Sequence, residues 1–91
     1  MGHLTSEPDA LLKRVRRIAG QVAAIERAIE SHAECGSILH LIAATRGAMN
    51  GLLDEVVEDH IREHLARPGL TDAERAQGAQ DVIEAFRRYS K

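Results

Sequence analysis

The chain has 91 residues, of which 44% are hydrophobic, 29% charged and 2% aromatic, and its formal net charge at pH 7 is −2. This balance is typical of one folded domain over residues 1–91; it argues against a disordered segment, against indiscriminate polyanion binding and against stacking platforms for single-stranded nucleic acid. No apolar run reaches the roughly 20 residues that span a bilayer, and the first residues lack a signal-peptide pattern, so we expect a cytoplasmic protein with no membrane partner.

The first predicted helix begins after a short arm. We expect residues 1–5 to form a flexible arm and helix 1 to cover about 6–31. Ser6 and Asp9 stand at capping-box spacing, with Pro8 in the first turn. Apolar residues then recur at alternating intervals of four and three, which is the repeat of a helix packed lengthwise against another. They are Leu11, Val15, Ile18, Val22, Ile25 and Ile29.

Two further helices follow. Helix 2 is predicted over about 34–67, where Pro68 and Gly69 end it. Helix 3 is predicted over about 71–90, and Thr71 and Glu74 form a capping box at its start. The stripe of helix 2 again alternates four and three: Ile38, Ile42, Thr45, Met49, Leu52 and Val56. Helix 3 is expected to turn inward Ala79, Val82, Ile83, Phe86 and Tyr89.

Three helices and no predicted strand define an all-α fold. A chain this short buries a modest fraction of its surface, so stabilisation from another source is expected. Two long antiparallel helices and a shorter third one are too little for a closed core. Two copies packed as an antiparallel four-helix-bundle dimer would supply that core.

Helix 1 carries a dense group of cations. Lys13, Arg14, Arg16 and Arg17 lie within five residues. At about 100° per residue they span an arc of roughly 160°, centred away from the apolar stripe. A solvated helix face and a phosphate-binding surface both fit this pattern. No helix-turn-helix, zinc-finger or basic-zipper pattern accompanies the group, which we call the basic patch.

Helix 2 carries the residues that favour a metal site. His60 and His64 stand at i and i+4, so both imidazoles leave one face of the helix. Viewed down the helix axis, Cys35 falls between the two histidines in angle. At 1.5 Å per residue, however, it lies roughly 37 Å along the axis from His60. One chain therefore cannot join them, whereas an antiparallel helix 2 of a second protomer can. The sequence predicts two equivalent sites per dimer, each shared between protomers.

Other residues could complete such a site. His3 lies on the arm and could fold over it, and Glu34, Glu63 and Gly2 are candidate accessory ligands. One thiolate with up to three imidazoles suits nickel, cobalt or zinc better than copper(I), which favours more sulfur. A small buried hydrophobe is the ordinary alternative for Cys35, and a solvated pair is the alternative for the two histidines.

Two other classes of function compete with a metal-responsive one. A thiol- or metal-dependent enzyme is disfavoured, because so short a chain offers no general base or oxyanion hole beside Cys35. We therefore expect no enzymatic activity and no organic cofactor. A structural helical adaptor that binds neither metal nor DNA stays open on the residues alone.

Three segments together are similar to a known family. The chain resembles the CsoR/RcnR/FrmR repressors in Arg14–Val22, Ile42–Leu52 and His60–His64, and in the ending Arg87-Arg88-Tyr89. The resemblance implies an all-α protomer, an antiparallel dimer and a disc-shaped homotetramer. It also implies binding to double-stranded operator DNA in the absence of effector and release when the effector binds. The implied DNA contacts are Arg14, Arg16 and Arg17, with Lys13 beside them.

The resemblance also implies which effector is sensed. Nickel and cobalt sensors of this family use an N-terminal histidine, a cysteine and two further histidines, and His3, Cys35, His60 and His64 match all four places. Formaldehyde sensors are the alternative; they react through an N-terminal proline amine and the cysteine. This chain has Gly2 in place of that proline, and His64 where those sensors usually lack a ligand.

Overall fold

The computed structural model describes residues 8–89, which form three α-helices: α1 (Pro8–Glu30), α2 (Cys35–His64) and α3 (Asp72–Tyr89). No strand occurs within 8–89, so the predicted all-α fold is confirmed. None of these helices is long and apolar enough to cross a membrane. The arm at 1–5, the predicted cap Ser6 and position 90 lie outside the described residues.

α1 ends in a left-handed turn. His32 has a φ of 57°, the conformation that usually selects glycine at this place. The backbone N–H of Ala33 donates to the carbonyl of Ala28 at 2.9 Å, and that of His32 donates to the carbonyl of Ile29 at 3.2 Å. These two bonds form a Schellman motif, which satisfies the last carbonyls of α1 and lets the chain reverse.

α2 is a single helix of 30 residues with Cys35 as its first residue and His64 as its last. Glu34 caps its start, because the carbonyl of Glu34 accepts the first helical bond, from Ile38, at 3.2 Å. The helix ends three residues earlier than the predicted 67. Beyond it the N–H of Ala66 donates to the carbonyl of Ile61, five residues back, so the regular ladder stops a turn before the proline.

The predicted capping box at the start of α3 is confirmed. The Thr71 backbone N–H donates to Glu74 Oε1 at 2.9 Å, and the Glu74 N–H donates to Thr71 Oγ1 at 3.1 Å. These reciprocal bonds satisfy N–H groups that have no partner inside the helix. Hydrogen bonds to the Glu74 carboxylate lower its pKa below the ordinary value; the bond from the Thr71 backbone N–H is the largest cause, and a bond from the Thr71 side chain adds to it.

The chain divides into two compact units, one over 8–53 and one holding 54–89. In the first unit the predicted stripe of α1 is covered only in part: Leu11 and Ile18 are buried, while Val22 and Ile29 are 53% and 56% exposed. On α2, Met49 is 52% exposed. The apolar stripes of α1 and α2 together are called the apolar seam. One protomer therefore leaves alternate residues of this seam exposed to solvent.

In the second unit, the prediction that α3 turns its apolar residues inward was wrong for two of them. Ile83 and Phe86 are 44% and 48% exposed, while Ala79 and Val82 are half-buried. Of the α3 residues whose burial the structure describes, 72–88, Gly78 is the one that is buried. The reason is geometric: α3 makes its closest approach through a residue without a side chain, so bulkier apolar groups elsewhere on the helix are not drawn into the contact.

The capping box gives a pH-dependent prediction. Folding lowers the pKa of the Glu74 carboxyl, so the ionised carboxylate stabilises the folded state. This stabilisation is fully present above the pKa of the unfolded state and is lost as the pH falls through the pKa of the folded state. Glu74→Gln removes this contribution. We expect Glu74→Gln to lower the midpoint of thermal unfolding at neutral pH. The difference from the parent should shrink in acid, below the ordinary carboxyl range.

Thermal unfolding followed by circular dichroism, once at neutral pH and once in acid below the ordinary carboxyl range, measures this difference in midpoint. Glu84→Gln on the same helix is the matched control, since the carboxylate of Glu84 lies beside Gln80 and caps no helix. A difference between Glu74→Gln and the parent that stays constant from neutral to acid would contradict the prediction.

Candidate functional site

Two imidazoles lie side by side on the last turns of α2. The ring centroids of His60 and His64 are 4.8 Å apart, and their planes are inclined by 40°. The i, i+4 spacing on a regular helix brings them together, as the sequence predicted. Both are half-buried, and the His60 side chain is 22% exposed. This imidazole pair is the part of the predicted site that the structure brings together.

His60 is oriented by α3. Its Nε2 lies 3.0 Å from the carbonyl oxygen of Gly78. A carbonyl can only accept, so Nε2 carries the proton in this bond, and the Nδ1 of a neutral ring keeps its lone pair. The carboxylate of Asp81 stands 3.8 Å from the same Nε2. Metal-binding histidines characteristically donate their second ring nitrogen to a carbonyl or carboxylate in this way.

His64 has one ring nitrogen that no atom of residues 8–89 hydrogen-bonds. Its Nε2 is buried and has no hydrogen-bond partner within the described part of the chain. A buried unpaired nitrogen costs on the order of 1–3 kcal/mol, so such atoms in native folds call for a specific explanation. A metal ion fits this one, because the nitrogen is an imidazole donor 4 residues from a second oriented imidazole.

Close packing of α3 on the end of α2 builds this geometry. A Cβ added at Gly78 would lie 2.9 Å from both the carbonyl carbon and the Cβ of His64, and closer still to its carbonyl oxygen. Real Cβ atoms do not approach backbone so closely, so the contact requires glycine. The guanidinium of Arg75 also donates to the carbonyl of Leu65, just beyond the end of α2.

Sequence reasoning missed Gly78 and Asp81 as parts of this site. A glycine inside an otherwise regular helix is a sign of close backbone approach, and that sign was present in the sequence. Which element would approach, however, depends on how the turn after α2 aims α3. That direction is set by the path of residues 65–71 and not by helical periodicity.

The other predicted ligands are not gathered around the imidazole pair. Cys35 is a free, exposed thiol at the first residue of α2, and Glu34 is exposed. Glu63 is half-buried and forms an ion pair with Arg67. Within 8–89 no group of three or more His, Cys, Asp or Glu residues could hold a metal ion. His3 and Gly2 lie outside the described residues.

The basic patch of α1 is open to solvent at three of its four members. Lys13, Arg16 and Arg17 are exposed, as a phosphate-binding surface requires. Arg14 is half-buried, and its Nη1 would stand 3.1 Å from a Cβ added at Gly51 of α2. The guanidinium of Arg14 therefore rests against the backbone of α2.

A helical chain with a paired imidazole site and an exposed basic patch has the features of an effector-responsive DNA-binding protein. Residues 7–88 match the family described as metal-sensitive transcriptional repressor. The match covers most of the chain, and the protein belongs to this family. The resemblance seen in the sequence is thereby confirmed.

Individual similar proteins include a named repressor and a solved regulator structure. An uncharacterized protein in the bioA 5′ region of Serratia marcescens is 47% identical over 91 residues, which cover all of both chains. The transcriptional repressor RcnR of Salmonella arizonae (strain ATCC BAA-731 / CDC346-86 / RSK2980) is 34% identical over 91 residues, again the whole of both chains. Among solved structures, a glutamate-to-histidine variant of the formaldehyde-responsive regulator FrmR from Salmonella enterica serovar Typhimurium is 44% identical. It matches with a TM-score of 0.86 over 97% of this chain and 99% of its own.

Membership of this family settles the general activity. The chain is a transcriptional repressor whose partner is DNA, and it is not an enzyme. The family description also supports a metal ion as the effector.

Proposed function

We propose that this protein represses transcription by binding operator DNA in its metal-free state and that it leaves the DNA on binding nickel or cobalt. Zinc is a third ion with suitable chemistry. The observation that carries the proposal is the imidazole pair: His60 is held by a carbonyl acceptor on α3, and beside it His64 has a buried nitrogen with no hydrogen-bond partner in the part of the chain that the structure describes. Two such imidazoles form half of a four-ligand site.

A second protomer supplies the missing half in this proposal. If the α2 helices of two protomers run antiparallel, Cys35 at the start of one meets His60 and His64 at the end of the other. His3 from the arm is the fourth ligand. Glu34, Glu63 and Gly2 are accessory ligands, which a metal with six ligands would use.

The open apolar seam supports such a pairing. Val22, Ile29 and Met49 are each more than half exposed in one protomer, and they alternate with covered members of the same stripes. Fully burying a large apolar side chain from the exposed state contributes about 1.5–3 kcal/mol, so covering one that is already half-buried contributes roughly half of that. An antiparallel four-helix-bundle dimer would cover these residues, and two dimers would form the homotetramer of the proposal.

The donor set selects the class of metal. Thiolate sulfur with imidazole nitrogen is a borderline set that suits nickel, cobalt and zinc, whereas copper(I) favours more sulfur. When bound, the metal ion supplies a single centre to which ligands from two protomers are attached. A reduced thiol is required, which agrees with action in the cytoplasm, where thiols are kept reduced.

Release of DNA then follows from coupling between the ligands and the basic patches. Joining the start of one α2 to the end of another favours one packing of the helices, and the patches on α1 move out of register with the phosphates. A tenfold loss of DNA affinity requires about 1.4 kcal/mol of coupling free energy. A site with four strong ligands can supply that difference.

The ligand assignment predicts a spectroscopic result. Titration of the metal-free protein with cobalt or nickel should produce thiolate-to-metal charge-transfer absorption at one equivalent per protomer. Cys35→Ala should abolish the absorption, because the thiolate is its source. His64→Ala should weaken metal binding by at least tenfold, because one of four strong donors is removed.

His40→Ala is the matched control, since His40 is exposed on the same helix and lies outside the imidazole pair. It should bind metal as the parent does. Full charge-transfer absorption in Cys35→Ala, or unchanged affinity in His64→Ala, would contradict the proposed site.

The basic patch predicts a salt-dependent result. Each phosphate that the protein neutralises adds about 0.9 to the slope of log affinity against log salt concentration. Arg16→Ala and Arg17→Ala should each weaken binding to operator and non-operator DNA alike, and each should reduce the slope by about one for every phosphate that the arginine neutralised. Fluorescence anisotropy across a series of salt concentrations measures both quantities.

Arg27→Ala provides the control for charge, because Arg27 is an exposed arginine in the last turn of the same helix. It should leave the slope unchanged. Equal slopes for Arg16→Ala, Arg17→Ala and the parent would remove the patch from the DNA-binding surface.

A second candidate effector is formaldehyde, acting through Cys35 and the N-terminal amine. The 44% identity to the formaldehyde-responsive regulator FrmR favours it. His64 favours a metal effector instead, because it supplies the second imidazole of the pair. The FrmR variant has histidine in place of glutamate at a position that carries the same number. Measuring DNA release with nickel, cobalt, zinc and formaldehyde separates the two. If metals leave the complex intact while formaldehyde dissociates it, the formaldehyde sensor is correct.

A further inference from the structure

We propose that Gly78 is a positioning residue for the imidazole pair: the absence of its side chain lets α3 reach the last turn of α2 closely enough to orient His60. This inference rests on the proposed function, since it assigns a role toward the metal ligands. The structure places Gly78 against both members of the pair, through its carbonyl for one and its Cα for the other.

The steric side of this contact leaves no room for a methyl group. A Cβ at Gly78 would meet the backbone of His64, and backbone atoms cannot rotate aside as the tip of a long side chain can. Gly78 is also buried, so the added group could not turn into solvent. An alanine at this position must therefore push α3 away from the end of α2.

The polar side of the contact depends on that spacing. The bond from His60 Nε2 to the carbonyl of Gly78 is 3.0 Å long, and hydrogen bonds weaken steeply beyond normal reach. Moving α3 outward by the width of a methyl group breaks it. His60 then loses the acceptor that keeps the proton on Nε2 and leaves Nδ1 free.

Other glycines in the helices show that this requirement is local. Nothing lies within 4 Å of a Cβ added at Gly20, Gly36 or Gly47. Alanine at those places meets open space in the protomer, and alanine is the better helix former. Among the glycines inside the three described helices, Gly78 alone combines a backbone clash with a bond to a proposed ligand.

The test begins with the metal-free protein. Nitrogen-15 NMR of the histidine side chains reports which ring nitrogen carries the proton. In the parent, His60 should be protonated at Nε2 with Nδ1 unprotonated. In Gly78→Ala this preference should disappear, and the affinity for cobalt should fall roughly 10–100-fold, as it does when outer-shell partners of ligands are removed. Gly20→Ala should match the parent in both measurements.

Several outcomes would overturn the inference. The inference is wrong if the neutral His60 ring of the parent protein carries its proton on Nδ1, and this result decides even if Gly78→Ala fails to fold. A folded Gly78→Ala with unchanged tautomer and unchanged cobalt affinity also overturns it. The two proposals fail separately. If the parent binds no metal, the proposed function is wrong, whereas the tautomer of the metal-free protein still decides whether Gly78 positions His60.

Discussion

The close approach of α3 to the last turn of α2 is the contact on which the candidate site depends. It is made where Gly78 meets the backbone of His64, and it places a carbonyl acceptor within 3.0 Å of His60 Nε2. A regular helix alone would set two imidazoles side by side. The carbonyl from α3 defines the proton position of His60, and the buried Nε2 of His64 has no hydrogen-bond partner within 8–89. This is an arrangement that a metal ion suits.

A single protomer leaves two physical requirements unmet, and one proposed arrangement meets both. The seam that includes Val22, Ile29 and Met49 is exposed, and within 8–89 the imidazole pair has fewer ligands than a metal ion needs. In the proposed arrangement, an antiparallel partner would cover the seam and would bring its Cys35 to the pair. Because the same packing would serve stability and ligand binding, a bound metal would favour one arrangement of the helices, and in this proposal that change of arrangement alters the affinity for DNA.

The sequence predicted this structure unevenly, for identifiable reasons. Helical periodicity and the capping pattern at Thr71 and Glu74 predicted the three helices, and the i, i+4 spacing predicted the imidazole pair. The direction of α3 could not be predicted, because it depends on the turn between the helices. For that reason Gly78 was overlooked, and Phe86, expected inside, is 48% exposed. Helical periodicity and capping patterns predict structure within one helix, whereas the candidate site lies where two helices meet.

The central claim is that each metal site is shared between protomers, and mixed oligomers test it most directly. At a cobalt concentration that fills the parent's sites but is too low to fill the weakened site of His64→Ala, Cys35→Ala and His64→Ala alone should each give no charge-transfer absorption. In a mixed dimer one site lacks both residues and the other lacks neither. Unfolding and refolding an equal mixture should therefore restore about a quarter of the parent's charge-transfer absorption, as expected for random pairing in a two-fold dimer. A mixture as silent as the separate variants would show that Cys35 of one protomer and His64 of another do not share a metal ion, and would contradict the claim.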